Sequence, residues 1–208
     1  MSAVANLTQS LADYDVLVLP GWRNSGPAHW QSHWENLFPA FTRVQQQDWQ
    51  QPRRADWIRA LDQAVDAASK PVILIAHSLG CVTVAHWAAQ FDTAKVAAAL
   101  LVAPADVERA TVASSLRNFS PLPQRALPFR TLLVGSDNDP CCSAWRAAEL
   151  AETWGAEFHL LSGAGHINAD SGLGDWPEGL ELLAQLPPQD YAFGGVSRRE
   201  KPAFVWAA

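Results

Sequence analysis

Cysteine is scarce in this sequence: the 208 residues include three, Cys81, Cys141 and Cys142. An odd count with two adjacent members argues against a disulfide framework, so all three are expected to be free thiols. Residues 1–13 also lack the basic and apolar regions of a secretory signal peptide. Together these features predict a cytoplasmic protein, because free thiols are typical of reducing compartments.

Two further features are missing, namely an excess of positive charge and a long apolar run. The formal net charge is −6 and no basic cluster is present, which argues against nucleic acid as a partner. No apolar segment reaches the roughly 18 residues of a membrane span, so no membrane association is expected. Hydrophobic residues nevertheless make up 49% of the chain, which indicates an ordinary folded protein. We predict a single domain over 1–208, in which 187–208 form a polar C-terminal tail.

Apolar strands and amphipathic helices alternate along the chain. Strands are predicted at 15–20, 42–48, 72–76, 96–102, 130–134 and 157–161. Helices are predicted at 27–38, 55–68, 78–91, 143–154 and 176–186. Several strands are apolar on both faces, as in a parallel sheet with helices on each side. The predicted fold class is therefore α/β, a three-layer sandwich around a mainly parallel six-stranded sheet. The irregular segment 105–128 is either a plain connection or a small cap.

A serine stands between a predicted strand and a predicted helix, in the run Ala76-His77-Ser78-Leu79-Gly80. This order resembles the G-x-S-x-G nucleophile elbow, with alanine in place of the first glycine. Small residues are required there because the strand and helix backbones approach closely. Ser78 is thus a candidate nucleophile, and the alternative is that it only caps the helix. His77, its neighbour, is expected to point away from the site.

A serine hydroxyl needs a base, and the base needs a carboxylate that orients it. In folds of this type the expected chain order is serine, acid, histidine. His166 follows the last predicted strand, whereas Asp137 and Asp139 follow the one before it. Ligands bind beyond the carboxyl ends of parallel strands, so these residues are expected to meet Ser78 there. Either aspartate could be the acid on this reasoning alone.

The predicted oxyanion hole consists of two backbone amides, those of Leu79 and Trp22. Gly21, next to Trp22, allows the chain to turn so that this amide points inward. Ten tryptophans are present, and core packing is the favoured interpretation of them. The alternative is an aromatic rim around a ligand cleft, for which the candidates are Trp22, Trp30 and Trp34.

A metal centre is not expected. His29 and His33 are four residues apart on a predicted helix and share a face. Neither a third ligand nor an H-E-x-x-H pattern accompanies them, so the sequence predicts no zinc site.

Four segments resemble the small serine hydrolases of the retinoblastoma-binding protein 9 family, in the α/β-hydrolase superfamily. The resemblance covers roughly Tyr14 to Leu186 and rests on four motifs. They lie at Pro20–Glu35, Ala76–Cys81, Ser136–Pro140 and Gly163–Gly179.

The resemblance implies a carboxylesterase-like serine hydrolase with a triad of Ser78, Asp139 and His166. It places the acid on the aspartate that precedes proline, and it implies a compact α/β-hydrolase fold without a large lid, metal or cofactor. The expected partner is a small-molecule ester, held by Gly21, Asn24, Trp30 and Cys141 in addition to the oxyanion amides. Alternatives with the same sequence features are an acyltransferase, a peptidase, or a binding protein that has lost catalysis.

The sequence departs from the family at two positions. The family's retinoblastoma-binding motif is L-x-C-x-E, and Thr83 stands where its glutamate belongs. A retinoblastoma-type partner is therefore not predicted. Cys141 occupies a position that is often aromatic in relatives, which affects the expected acyl pocket rather than the triad.

Overall fold

The computed structural model of the chain describes residues 3–186, so the predicted tail at 187–208 lies outside the described residues. Its strands are β1 (Asp15–Leu19), β2 (Phe41–Arg43), β3 (Val72–His77), β4 (Val96–Val102), β5 (Arg130–Ser136) and β6 (Glu157–Leu161). Its helices are α1 (Ala3–Ser10), α2 (Trp30–Leu37), α3 (Arg54–Ala67), α4 (Leu79–Ala88), α5 (Ala144–Trp154) and α6 (Pro177–Ala184).

The six strands form one sheet in the order β2-β1-β3-β4-β5-β6, and all five pairings are parallel. This confirms the predicted α/β class and the parallel six-stranded sheet. Because parallel neighbours share a direction, the carboxyl ends of all the strands lie along one edge. The loops after β1, β3, β5 and β6 therefore converge there, and they carry the candidate site residues.

Two apolar layers, one on each face of the sheet, account for the three-layer sandwich. Side chains alternate along each strand: Leu74 packs with α3, α4 and α5, while Ile73 and Ile75 face α1, α2 and α6. Strands β3 and β4 are buried along their whole length, as expected for the centre of such a sheet. Among the described residues, no helix is long and apolar enough to cross a membrane.

Several elements differ from their predicted bounds, and helix α1 (Ala3–Ser10) was not predicted. Helix α2 begins at Trp30 rather than at 27, because the His29 side chain caps it by accepting a hydrogen bond from the Gln31 amide. Strand β2 ends at Arg43 because the chain then turns back towards the loop after β1. There the Trp49 carbonyl accepts from the Arg23 amide.

The segment between β4 and β5 is a wall of the molecule rather than a free lid. It contains a 3-10 helix, Ser114–Phe119. Val112, Leu116 and Phe119 are at most 8% exposed and belong to the same apolar layer as α4. The small cap considered for 105–128 is therefore integrated into the core.

Most tryptophans that the structure describes serve the core. Five are less than 2% exposed: Trp30, Trp34, Trp57, Trp87 and Trp154. Four of these indoles donate to a buried or half-buried backbone carbonyl, and the Trp87 indole donates to Asp62. The favoured interpretation of the tryptophans as core residues thus holds for these five.

Candidate active site

Ser78 lies on a strained turn between β3 and α4. Its φ of 53° and ψ of −116° place it in a region that side-chain-bearing residues rarely adopt. Such strain at a strand-to-helix turn is the geometry of a nucleophile elbow. Ser78 precedes α4 but its side chain makes no capping hydrogen bond. The helix-cap alternative therefore does not explain this serine.

Close backbone approach explains the small residues around the turn. A Cβ added at Gly80 would lie 2.4 Å from the Leu19 carbonyl oxygen, on the neighbouring strand. A Cβ added at Gly21 would lie 2.7 Å from the Ser78 Cβ. Ala76 stands where the motif's first glycine belongs, and it is fully buried within the sheet. Glycine is needed where helix α4 meets β1, but alanine fits at the end of β3.

A stability measurement tests this reading of Gly80. Gly80→Ala is expected to lower the free energy of unfolding by about 1–3 kcal/mol, because the clash with the Leu19 carbonyl outweighs the gain in helix propensity. Gly26→Ala is the matched control, since a Cβ there meets nothing within 4 Å. That control should change stability by no more than about 0.5 kcal/mol. Equal denaturation midpoints for the two variants would contradict the packing argument.

Ser78, His166 and Asp139 come together at the carboxyl edge of the sheet. The His166 Nε2 lies 2.9 Å from the Ser78 Oγ. The His166 Nδ1 lies 3.0 Å and 2.9 Å from the two Asp139 carboxylate oxygens. The Asp139 side chain is 1% exposed and also accepts from the Cys141 amide at 2.7 Å. The arrangement can move a proton from serine to histidine while the carboxylate holds the ring.

Asp137 has a different role from its neighbour Asp139. It is exposed, and its carboxylate accepts from the Gly163 amide at 2.7 Å and from the Ser162 hydroxyl at 2.8 Å. These two bonds lower the pKa of Asp137. Asn138 makes a similar bond to the Gly165 amide. The residues before Asp139 thus brace the loop that carries the histidine.

Electrostatics separate His166 from two other histidines nearby. Burial alone would lower the pKa of His166, but the hydrogen bond and charge of Asp139, with a contribution from Cys141, raise it to about 9. Burial, assisted by Arg43, lowers the pKa of His29 to about 3. Burial also holds the pKa of His77 well below its usual value. Of these three, His166 alone is set up to gain a proton.

His77 is a residue whose role sequence reasoning missed. It was expected to point away from the site, yet its ring centroid lies 5.0 Å from that of His166. Its Nε2 lies 2.9 Å from the His166 carbonyl oxygen, and this nitrogen donates because a carbonyl oxygen can only accept. No local motif signals this contact, since 89 residues separate the partners. His77 thus holds the backbone of the loop after β6, which carries His166.

A cavity of about 280 Å³ opens in front of Ser78 and His166. Four predicted residues line it, namely Gly21, Trp22, Asn24 and Cys141. The wall from the segment after β4 contributes Val112 and Leu116 on its apolar side, with Arg109 as a cation. This wall carried no recognisable motif and was not predicted to line the site.

Trp30 does not line the cavity, contrary to the prediction. It is 1% exposed, and its indole donates to the Ile167 carbonyl at 2.8 Å. Its ring packs edge-on against Trp34 and Trp176. Trp30 is the first residue of α2 and belongs to the apolar layer on the α1, α2 and α6 face of the sheet.

The loop after β1 is held in place from beneath by Arg43. The Arg43 guanidinium donates to the Asn24 side-chain oxygen at 2.8 Å and to the Ser25 carbonyl at 2.9 Å. It also forms a two-pronged ion pair with Glu35. Within residues 3–186, neither the Trp22 amide nor the Leu79 amide has a hydrogen-bond acceptor. The two predicted oxyanion donors, one directly after Gly21 and the other directly after Ser78, thus have no acceptor among these residues.

A parallel α/β sheet with a serine on a strained turn after its third strand defines the α/β-hydrolase class. The chain belongs to the serine hydrolase family, whose model matches residues 16–185. No curated protein is similar enough in sequence to count as a match.

Solved structures agree with this assignment. A protein from Pectobacterium atrosepticum, described as a YdeN-like hydrolase, is 34% identical with a TM-score of 0.80, over 89% of this chain and 97% of that one. The ydeN gene product of B. subtilis is 20% identical with a TM-score of 0.68, over 82% and 97%. An esterase domain from Rhodothermus marinus is 17% identical with a TM-score of 0.59, over 83% and 85%, and shows the fold alone. The chain is therefore a hydrolase of the α/β-hydrolase superfamily.

Proposed function

We propose that this hydrolase cleaves small carboxylic esters through an acyl-enzyme formed on Ser78, with His166 as base and Asp139 as its orienting acid. The observation that carries the proposal is the chain of contacts from the Ser78 Oγ to the Asp139 carboxylate, at 2.9 Å on each side of the imidazole. The Ser78 side chain makes no helix-capping hydrogen bond, so its hydroxyl is available to the histidine. Nucleophilic catalysis requires this pairing of a hydroxyl with a base.

The chemistry runs in two halves. With its proton on Nδ1, facing Asp139, His166 can accept the Ser78 proton on Nε2 while the Oγ bonds to the ester carbon. The carbonyl π electrons move to oxygen, and the intermediate collapses as the alcohol leaves with the proton from His166. Water then attacks the acyl-enzyme by the same route and releases the acid. Asp139 stabilises the imidazolium that forms in each half.

The Trp22 and Leu79 amides are the proposed oxyanion hole. Both lie next to residues at the reacting centre, Gly21 and Ser78, and neither has another acceptor among the described residues. Two preorganised N–H groups stabilise the charge that develops on the carbonyl oxygen. Arg43 supports this function indirectly, because it holds the loop that carries Trp22.

The size of the cavity favours small substrates. Its volume of about 280 Å³ lies just below the usual range for ligand pockets, roughly 300–1,000 Å³. Val112 and Leu116 offer apolar contacts to a short acyl chain. We therefore propose esters with short acyl groups as the substrate class.

We also propose a position for this chain within the serine hydrolase family. The motifs at Pro20–Glu35 and Gly163–Gly179 resemble the retinoblastoma-binding protein 9 group of small serine hydrolases. We place the chain near that group as a single catalytic domain. Thr83 in place of the motif's glutamate speaks against a retinoblastoma-type partner.

Trapping the acyl-enzyme tests the proposed reaction. Brief incubation with p-nitrophenyl acetate should add one acetyl group to the peptide that contains Ser78, detectable by mass spectrometry after acid quenching. Acceptors added with the ester separate hydrolysis from acyl transfer, since a transferase would give acylated acceptor instead of acetate. A peptide amide substrate tests for peptidase activity, since a peptidase would release the amine from it. An absence of label and of turnover with any ester or amide would favour the binding-protein alternative.

A further inference from the structure

We propose that Asp139, Cys141 and His166 also form a binding site for a thiophilic divalent cation of the Zn²⁺ type, and that its binding stops hydrolysis. The inhibition rests on the proposed function, whereas the binding does not. The ligand atoms of these three side chains lie within 4.8 Å of one another. This set is distinct from the pair formed by His29 and His33.

The chemistry of the three side chains suits zinc better than a hard cation. Zinc takes thiolate sulfur, imidazole nitrogen and carboxylate oxygen, commonly three of these with a fourth position left open. A thiolate ligand selects against Mg²⁺ and Ca²⁺, which prefer oxygen. Asp139, Cys141 and His166 supply one ligand of each kind.

The geometry requires only a small contraction. With metal bonds of about 2.0–2.3 Å, tetrahedral ligand atoms stand roughly 3.5 Å apart, so any pair must close by at most about 1.3 Å. Rotation of the half-buried Cys141 side chain can provide this. Asp139 is fixed from beneath by the Cys141 amide, and both Cys141 and His166 line the cavity. A cation therefore has a route of entry and an open fourth position on the cavity side.

Coordination by His166 is incompatible with the proposed triad. Its Nδ1 contacts Asp139 and its Nε2 contacts the Ser78 Oγ, so both ring nitrogens already have partners. A metal that takes Nδ1 replaces the bond to Asp139, and the ring proton moves to Nε2, which then no longer accepts a proton from Ser78. A metal that takes Nε2 removes the base from Ser78. In either case the thiol proton of Cys141 passes to water as the metal–sulfur bond forms, and no electron is transferred.

Direct binding is measured first, on protein freed of metals by dialysis against a chelator. Co²⁺ is the probe, because a cobalt–thiolate bond produces a charge-transfer absorption in the near ultraviolet. Wild type is expected to bind one equivalent with this band, and Zn²⁺ should displace it. Cys141→Ala and Cys141→Ser should lose the band and weaken Zn²⁺ binding by more than about tenfold.

Cys142→Ala is the matched control, because this neighbouring thiol is 3% exposed and outside the cluster. It should retain both the band and the affinity. The surface pairs His33 with Asp175 and His159 with Glu178 could attract zinc, but they contain no sulfur and give no thiolate band. A band that is absent in wild type, or that survives in both Cys141 variants, overturns the site.

Inhibition is tested separately. Zn²⁺ should abolish ester hydrolysis by wild type at the concentration that fills the cobalt-probed site, and a chelator should restore it. If Zn²⁺ fills the site and the rate of ester hydrolysis does not fall, the proposed inhibition is wrong. The band is also measured in Ser78→Ala, which should bind Co²⁺ as wild type does. Failure of the proposed reaction would appear as wild type without turnover, whatever the outcome of the binding experiment.

Discussion

Ser78→Ala should lower kcat/KM for p-nitrophenyl acetate by at least about 10⁴-fold, because removing the nucleophile of a triad costs as much as removing the whole unit. Only the Oγ is lost; this atom caps no helix, and its hydrogen-bond partner among the described residues is His166. The melting temperature should therefore stay close to that of wild type. A residual rate is expected from substrate binding and from the proposed oxyanion amides, since these act without the triad.

Labelling with a fluorophosphonate probe reads the same prediction without turnover. Wild type should be labelled, and Ser78→Ala should not. The exposed Ser114, the first residue of the 3-10 helix, provides the control variant Ser114→Ala, which should behave as wild type. Equal labelling of wild type and Ser78→Ala would show that the nucleophile lies elsewhere.

Asp139→Asn is expected to reduce kcat by about 10⁴-fold, with a smaller effect on KM. An asparagine amide cannot accept the Nδ1 proton through both of its side-chain atoms, as the carboxylate does. The ring would then turn or change tautomer, so that Nε2 carries a proton and no longer accepts one from Ser78. Steady-state kinetics with a chromogenic ester measure the loss.

Asp137→Asn supplies the comparison for that result. In wild type the Asp137 carboxylate accepts hydrogen bonds from the Gly163 amide and the Ser162 hydroxyl. An asparagine side chain at this position can still form a hydrogen bond with each of them. We expect a loss in kcat of less than about tenfold and a small decrease in stability, in keeping with a surface substitution. Similar losses in the two variants, or a greater loss in Asp137→Asn, would move the orienting role away from Asp139.

The strand ends could be predicted well because they depend on local sequence. Apolar runs such as 72–76 and 96–102 are buried on both faces of the parallel sheet, so their composition alone identifies them. The residues that follow them then meet at one edge. The preference for Asp139 over Asp137 came from the family resemblance, since both aspartates follow the same strand and differ only in where their carboxylates point.

Other features could not be predicted because they depend on contacts distant in sequence. The bond from His77 to the His166 carbonyl joins residues 89 apart, and Trp30 enters the core through partners more than 130 residues away. Strand β2 was predicted too long, since its polar alternation continues past the point where the chain turns back to pair with the loop after β1. The alternation of polar and apolar residues does not indicate where such a turn occurs.

The sequence by itself determined the sheet, the elbow around Ser78 and the order of serine, acid and histidine, because each is written in local composition and in strand order. Only the tertiary structure decided which side chains face one another. It brings Cys141 to His166, assigns Asp137 to bracing a loop, and turns the segment after β4 into a wall of the cavity. The physical reason is that side-chain direction at the end of a strand is set by packing between distant segments, which local sequence does not encode.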